Sequence, residues 1–408
     1  MLVLFPSDPF ETHKPDPDYT QEVEIAKGCG HQVAFIHYES LVNDGDAKAA
    51  VKRVPDFEEP EGAIYRGWML TVEQYTELYG ALQVCLVDLH TTPEQYEAAH
   101  HLPGWYAEML KETPTTTWVA KEDIDPGTAF DHRVATSPIA VARLLLESCP
   151  HGIIIKDYVK SRKHEWEEAC FVPNVDKLEE VLRNFMERQG SDLQGGVVFR
   201  EFLPLRSVGK HPDSGMPMGE EFRLFWMNGK IAGVAEYWPS EFYEGEDRTD
   251  ERTGTTYRVP EALNTLPDPH SLAELALSIN NPFISMDLAR TEDGEWFIME
   301  VGDGQVSGLP RGRLDAELIY SRLDRHMGPP GIPADAAPMT RAQFDGMSCH
   351  AEGCDHSSHD TEMYLHPRCH VGSPTWAVYE DGVVNVKCAE CETLVVRIAV
   401  APGTVSED

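Results

Sequence analysis

No run of eighteen apolar residues occurs in this 408-residue chain, so no helix is expected to cross a membrane. Its first residues also lack the basic start and long apolar core of a secretory leader, because Met1 to Phe5 run straight into Pro6, Ser7 and Asp8. Basic residues are scarce: 34 Lys and Arg stand against 69 Asp and Glu, a formal charge of −35. That balance argues against a general binder of nucleic acid or anionic membrane, both polyanions, while leaving room for a local basic groove. Cysteine is sparse through most of the chain. Cys29, Cys85, Cys149 and Cys170 are scattered and the other five of nine crowd between Cys349 and Cys391, which fits a reducing cytoplasm with one local metal site rather than a disulfide framework. There is no internal repeat and no nucleophile-base triad.

What is present is an ordinary globular composition, 41% hydrophobic and 25% charged, long enough for two or three domains. The opening alternates strand-like and helix-like stretches, with strands over Leu2 to Phe5, Gln32 to Tyr38 and Ala63 to Leu70 and a helix over Tyr19 to Lys27. This predicts a small open α/β sheet over residues 1–110. An irregular aromatic stretch follows around His100 to Trp105, and Ser137-Pro138 opens a helix.

From Gly152 the pattern turns to α+β, and residues 111–327 read as one unit. Gly152 to Lys156 is a β-branched run. Asp176 is expected to cap a helix, with Glu179 in the capping-box position and Leu178, Val181, Leu182 and Phe185 as one apolar stripe. Val197 to Leu203 and Phe222 to Met227 read as strands, the latter turning through Asn228-Gly229 into Ile231 to Ala235. After a polar, acidic loop from Glu241 to Thr256, a last hairpin spans Phe283 to Val301, and a helix around Ala316, Ile319 and Leu323 closes the unit. Residues 328–345, rich in Pro, Gly and Ala, read as a linker to a small module over 346–408.

The last hairpin carries the sharpest chemistry. If Asp293-Gly294 is a two-residue turn, Glu292 faces Glu295 and Asp287 falls opposite Glu300 on one face. Opposed carboxylates repel, and a Mg²⁺ ion, usually held by one or two carboxylates plus substrate phosphates, would reconcile them. Asp303 in Gly302-Asp303-Gly304-Gln305 is a candidate third oxygen ligand. Lys156, Arg200 and Arg223 sit inside otherwise apolar strands, where a charge needs a partner: phosphate on one reading, Glu201 or Glu221 on the other. Arg66, after a predicted strand, is a candidate clamp for a substrate carboxylate. The His100-His101 pair reads as packing.

Taken in order, these features resemble the ATP-grasp superfamily over residues 1 to 326, and more narrowly the clade named for two arginines and one lysine. The resemblance implies an α/β pre-domain and an α+β ATP-grasp domain holding ATP with Mg²⁺. Lys156 would contact the phosphates, Glu201 the adenine or ribose, Arg223 the transferring phosphate, and Asp287 and Glu300 the metal. It also implies a ligase that activates a small-molecule or peptide carboxylate as an acyl phosphate for an amine or thiol, releasing ADP. A second reading is an ATP-binding assembly chaperone or protein-binding factor of the same fold. Two departures stand out: Val159-Lys160-Ser161-Arg162-Lys163 replaces the usual Gly-rich loop, and Gly302 occupies the place of an asparagine, so Asp303 or Gln305 would have to substitute.

The C-terminal segment resembles a zinc-ribbon-like β module. Cys388-Ala-Glu-Cys391 is a two-thiolate hook for Zn²⁺ after a hairpin of Trp376 to Tyr379 and Val383 to Val386. His366 and Cys369 are the nearest second pair, with His370 an alternative and Cys349 and Cys354 a looser pair. Such a module would suit a protein partner.

Overall fold

The computed structural model describes residues 1–212, 215–249, 256–309 and 316–327, together with the strands 337–339, 375–380, 383–388 and 394–399. The chain divides into two compact units, Met1–Leu323 and Asp324–Asp408. The predicted α/β and α+β parts therefore belong to one unit.

Its first layer is a parallel sheet of β1 (Leu2–Pro6), β2 (Gln32–Ile36), β3 (Glu61–Tyr65) and β4 (Val87–Leu89) in the order β2-β1-β3-β4. The apolar run of β1 is buried throughout, as a central parallel strand must be. β3 lies earlier than the expected Ala63 to Leu70, because the chain leaves the sheet at Arg66 and Gly67 N–H donates to the Gln305 carbonyl at 3.2 Å. The stretch around His100 is helical rather than irregular. Thr92 and Gln95 form a reciprocal capping box ahead of Pro93, opening the helix Pro93–His100, and Leu102–Tyr106 follows as another.

The second part consists of two antiparallel sheets. One comprises β5 (Thr116–Ala120), β6 (Ile153–Asp157), β7 (Phe171–Val172) and β8 (Gly196–Glu201) in the order β5-β8-β6-β7. The helices Pro138–Leu146 and Val175–Gln189 bury their apolar faces on it. The first is capped as expected, Ser137 Oγ accepting from Ala140 N–H at 3.3 Å. The second begins earlier than expected: the cap is Asn174, whose Oδ1 accepts from Asp176 N–H at 3.1 Å, while the stripe Leu178, Val181, Leu182 and Phe185 is buried as predicted.

The other sheet joins β9 (Ser207–Lys210), β10 (Pro217–Met227), β11 (Lys230–Glu236), β14 (Phe283–Arg290) and β15 (Trp296–Asp303), in the order β11-β10-β14-β15 with β9 on β10. Asn228 (φ 46°) and Gly229 (φ 71°) make the tight β10–β11 turn, a left-handed pair that Asn-Gly adopts readily. The expected acidic loop holds a strand, β12 (Gly245–Thr249), which pairs with β13 (Thr256–Pro260) beginning at the loop's last residue. The helix Ala316–His326 buries Ile319, Tyr320 and Leu323.

The described part of the C-terminal unit is an antiparallel sheet of β16 (Ala337–Met339), β17 (Thr375–Glu380), β18 (Val383–Cys388) and β19 (Leu394–Ala399). The predicted hairpin is β17–β18. In the segment read as a linker, 328–345, Ala337–Met339 pairs with β17 as a strand. Of the expected zinc ligands, Cys388 ends β18, whereas His366, Cys369 and Cys391 lie outside the described residues.

Candidate active site

Asp287 and Glu300 do face each other across β14 and β15, but not by the turn expected. The ladder ends at Arg290↔Trp296, and Thr291 N–H donates to the Glu295 carbonyl at 2.8 Å. Extending that register would set Asp287 against Met299. A bulge between Asp287 and Leu288 on the β14 side, with Met299 as the extra residue of β15, restores the pairing with Glu300.

Arg223 on β10 pairs with Asp287 in register, so Arg223, Asp287 and Glu300 lie in one row across three strands. Both Asp287 oxygens accept from Arg223, from Nε and Nη2, each at 2.7 Å. Lys156, on β6 of the other sheet, donates from Nζ to Glu300 Oε1 at 2.9 Å. Burial works against the Glu300 charge, but the cations Lys156, Lys163 and Arg223 outweigh it and hold the carboxyl down to about 2. The repulsion within the carboxylate pair is thus offset by cations from both sheets.

Arg200 finds neither Glu201 nor Glu221. Its Nη1 donates to Thr116 Oγ1 at 2.7 Å, and its Nη2 to Thr113 Oγ1 at 2.6 Å and to the Met299 carbonyl at 3.1 Å, tying β8 to the bulge of β15. Without a carboxylate, burial lowers its pKa to about 10, and its Nε has no partner among the described residues. Glu201, at the end of β8, accepts from Thr115 N–H at 3.2 Å. Glu221 is held by Trp238 Nε1 at 3.3 Å.

Two expected site residues have other work. Arg66 is 2% exposed; it pairs with Glu22 at 2.7 Å and donates from Nη1 to the carbonyls of Gly304, Gln305 and Ser307 at 2.7, 2.9 and 2.9 Å. It is a staple holding the loop after β15, not a clamp at the cleft. Asp303 is fully buried, and its two oxygens accept from Asn281 Nδ2 at 2.7 Å and Gln305 N–H at 2.8 Å. Both of its oxygens are thus taken by protein donors, and among the described residues no three His, Cys, Asp or Glu side chains cluster so as to hold an ion. Gln305 likewise turns inward, bonding Tyr65 N–H at 2.9 Å and Tyr75 Oη at 3.1 Å.

These groups surround a cleft of about 590 Å³. Its lining carries five Lys and Arg (Lys156, Lys160, Lys163, Arg200, Arg223) and five acids (Glu201, Glu221, Asp287, Glu300, Asp303), parity in a chain with twice as many acids as bases. Lys160, Ser161 and Lys163 bring the basic loop to the cleft as expected, whereas Arg162 turns to Glu165. Sequence reasoning missed Tyr237, whose ring has Arg223 at 5.1 Å and Lys163 at 5.6 Å, and Ser285 and Ser307, which also line the cleft. Ser285 lies two residues before Asp287, and strand alternation was the signal that could have found it. His100 does pack, its ring 4.8 Å from Tyr96, yet it also lines the cleft; burial lowers its pKa to about 3.

Two antiparallel sheets thus meet at a cleft where a carboxylate pair is ringed by lysine and arginine. Residues 149–323 match a family model of the ATP-grasp domain, that of family 3 in the clade named for two arginines and one lysine. No curated protein sequence matches the chain. Among solved structures it is similar to the D-cycloserine synthetase DcsG (15% identity, 80% of this chain and 99% of that one, TM-score 0.47). It is also similar to the ATP-grasp ligase PsnB complexed with a minimal precursor, Mg and ADP (13%, 80% and 97%, 0.44) and to D-alanine–D-alanine ligase from Bacillus anthracis (11%, 80% and 93%, 0.41).

Proposed function

We propose that this protein is an ATP- and Mg²⁺-dependent ligase that activates a carboxylate as an acyl phosphate for attack by an amine or thiol. The observation that carries this reading is the row Arg223–Asp287–Glu300 with Lys156 facing it: a carboxylate pair held beside cations, in a cleft otherwise matched in charge to a polyphosphate. Phosphoryl transfer needs chiefly positioning and charge neutralisation, and this cleft supplies both.

The residues fit the ion, since a hard divalent cation takes oxygen ligands and two carboxylates stand side by side here. Asp287 and Glu300 would hold Mg²⁺, which supplies neutralisation of phosphate charge. Lys156 and Arg223, which otherwise hold these carboxylates, then turn their donors to phosphate oxygens. Lys160 and Lys163 close over the phosphates from the loop, and Arg200, which also lines the cleft, adds a further positive charge. At the other end Ile154, Phe202 and Leu203 offer apolar surface beside Glu201, which suits a purine and its ribose. The substrate carboxylate oxygen attacks the γ-phosphorus, the bond to the β–γ bridging oxygen breaks, and ADP leaves with that electron pair. The amine or thiol then adds to the acyl carbon, loses its proton to solvent, and displaces inorganic phosphate.

Hydroxylamine tests the reading, because it intercepts acyl phosphates of any carboxylate as hydroxamates. A ligase incubated with Mg-ATP, hydroxylamine and pooled carboxylates releases ADP and forms a hydroxamate with at least one acid. An assembly factor binds ATP but releases no ADP with any pool.

A further inference from the structure

We propose that the Ser285 hydroxyl is a divalent-cation ligand that completes the Asp287–Glu300 pair, with Ser307 as the residue that orients it. The inference rests on the metal-nucleotide reading above and deepens it.

Ser285 and Asp287 are alternate residues of β14 and share a face, as do Gly302 and Glu300 on β15. Asp287 faces Glu300 and Ser285 faces Gly302, with the Met286–Val301 pair on the rung between them. Three corners of this rectangle carry oxygen ligands and the fourth carries no side chain. A Cβ at Gly302 would meet Ser285 Oγ at 3.2 Å and Ser307 Oγ at 3.4 Å, so the two hydroxyls stand where a side chain at 302 would go. Neither Asp303 nor Gln305 takes that place, since both are bonded inward.

The protons decide what the hydroxyls can bind. Ser307 Oγ donates to the Asp303 carbonyl at 2.8 Å, which spends its one proton. The Ser285–Ser307 contact at 2.7 Å must then be donated by Ser285. Both protons are directed inward, and the Ser285 oxygen is left with lone pairs on the cleft face that also carries Asp287 and Glu300. An oxygen in that state suits a cation; a phosphate would need the donor it has lost. Both serines are nearly buried, at 4% and 7% exposure, so the orientation is fixed by packing.

The test is Mn²⁺ binding to the full chain in the presence of ATP, followed by electron paramagnetic resonance, with ATP affinity measured separately without divalent ions. Ser285→Ala should weaken Mn²⁺ binding about tenfold, the low end of what loss of a ligating or supporting group costs. Metal-free ATP affinity should be unchanged. Ser307→Ala should give a smaller loss. Ser285→Cys should weaken Mn²⁺ binding and gain Cd²⁺ binding over wild type, because a thiolate prefers the softer ion; a purely structural serine would produce no such switch. Ser285→Ala with Mn²⁺ affinity within about twofold of wild type, or Ser285→Cys without a Cd²⁺ gain, overturns this proposal and leaves the ligase reading standing. Wild-type protein that binds no Mn²⁺ with ATP overturns both.

Discussion

Replacing Arg66 by methionine removes a guanidinium that is 2% exposed and satisfies one carboxylate and three carbonyls at once. Methionine fills similar space, so the main effect is on the partners left behind. Glu22 becomes a largely buried carboxylate without its cation, and breaking such a pair costs about 3–5 kcal/mol. At roughly 2 °C per kcal/mol for a unit of this size, the melting temperature should fall by about 6–10 °C. Arg66→Lys keeps the charge beside Glu22 but lacks the planar fork, so it should lose about half as much. The assay is thermal unfolding by near-ultraviolet circular dichroism, paired with Mg-ATP titration. Because Arg66 fastens the loop that carries Ser307 and follows Glu300, nucleotide affinity should weaken together with stability. A variant that melts within about 2 °C of wild type yet loses substrate affinity would refute the reasoning, since that is how a surface clamp behaves.

Asp303 has its pKa pushed up to about 6, burial outweighing its hydrogen bonds. The folded state therefore binds its proton more tightly than the unfolded chain does, and the contribution of this group is present below about pH 4 and lost as pH rises through about 6. The stability difference between wild type and Asp303→Asn should shift by about 3 kcal/mol across that window, read by urea unfolding at about pH 4 to 7; a difference independent of pH would contradict the assignment. Arg200→Lys abandons hydrogen bonds from β8 to the β15 bulge and should cost about 1.5–3 kcal/mol in the same assay while weakening ATP binding. An unchanged denaturation midpoint would refute that bridging role.

Much of this architecture was legible in the sequence because periodicity reports burial. The β-branched run before Lys156, the Asn-Gly turn and the Leu178–Phe185 stripe each follow from local chemistry. The Asp287–Glu300 pairing was also legible, although the turn was read one residue short and the Met299 bulge compensated for it; a bulge has no compositional mark here. Arg66 and Asp303 were misread for one reason. A charged residue after a strand looks the same in sequence whether it faces a cleft or a loop that folds back over it, and the carbonyls of Gly304 to Ser307 are invisible until the chain is closed. Arg200 was expected to meet either phosphate or a carboxylate, yet threonine hydroxyls and main-chain carbonyls take its two terminal nitrogens.

The central claim is that the carboxylate pair makes this cleft a metal-nucleotide site, and calorimetric titration of Mg-ATP into wild type and Asp287→Asn tests it most directly. Mg²⁺ should strengthen binding in wild type, and the variant should lose that strengthening by about tenfold or more with the fold intact. Absence of binding in wild type, or equal Mg-dependence in the variant, would contradict it.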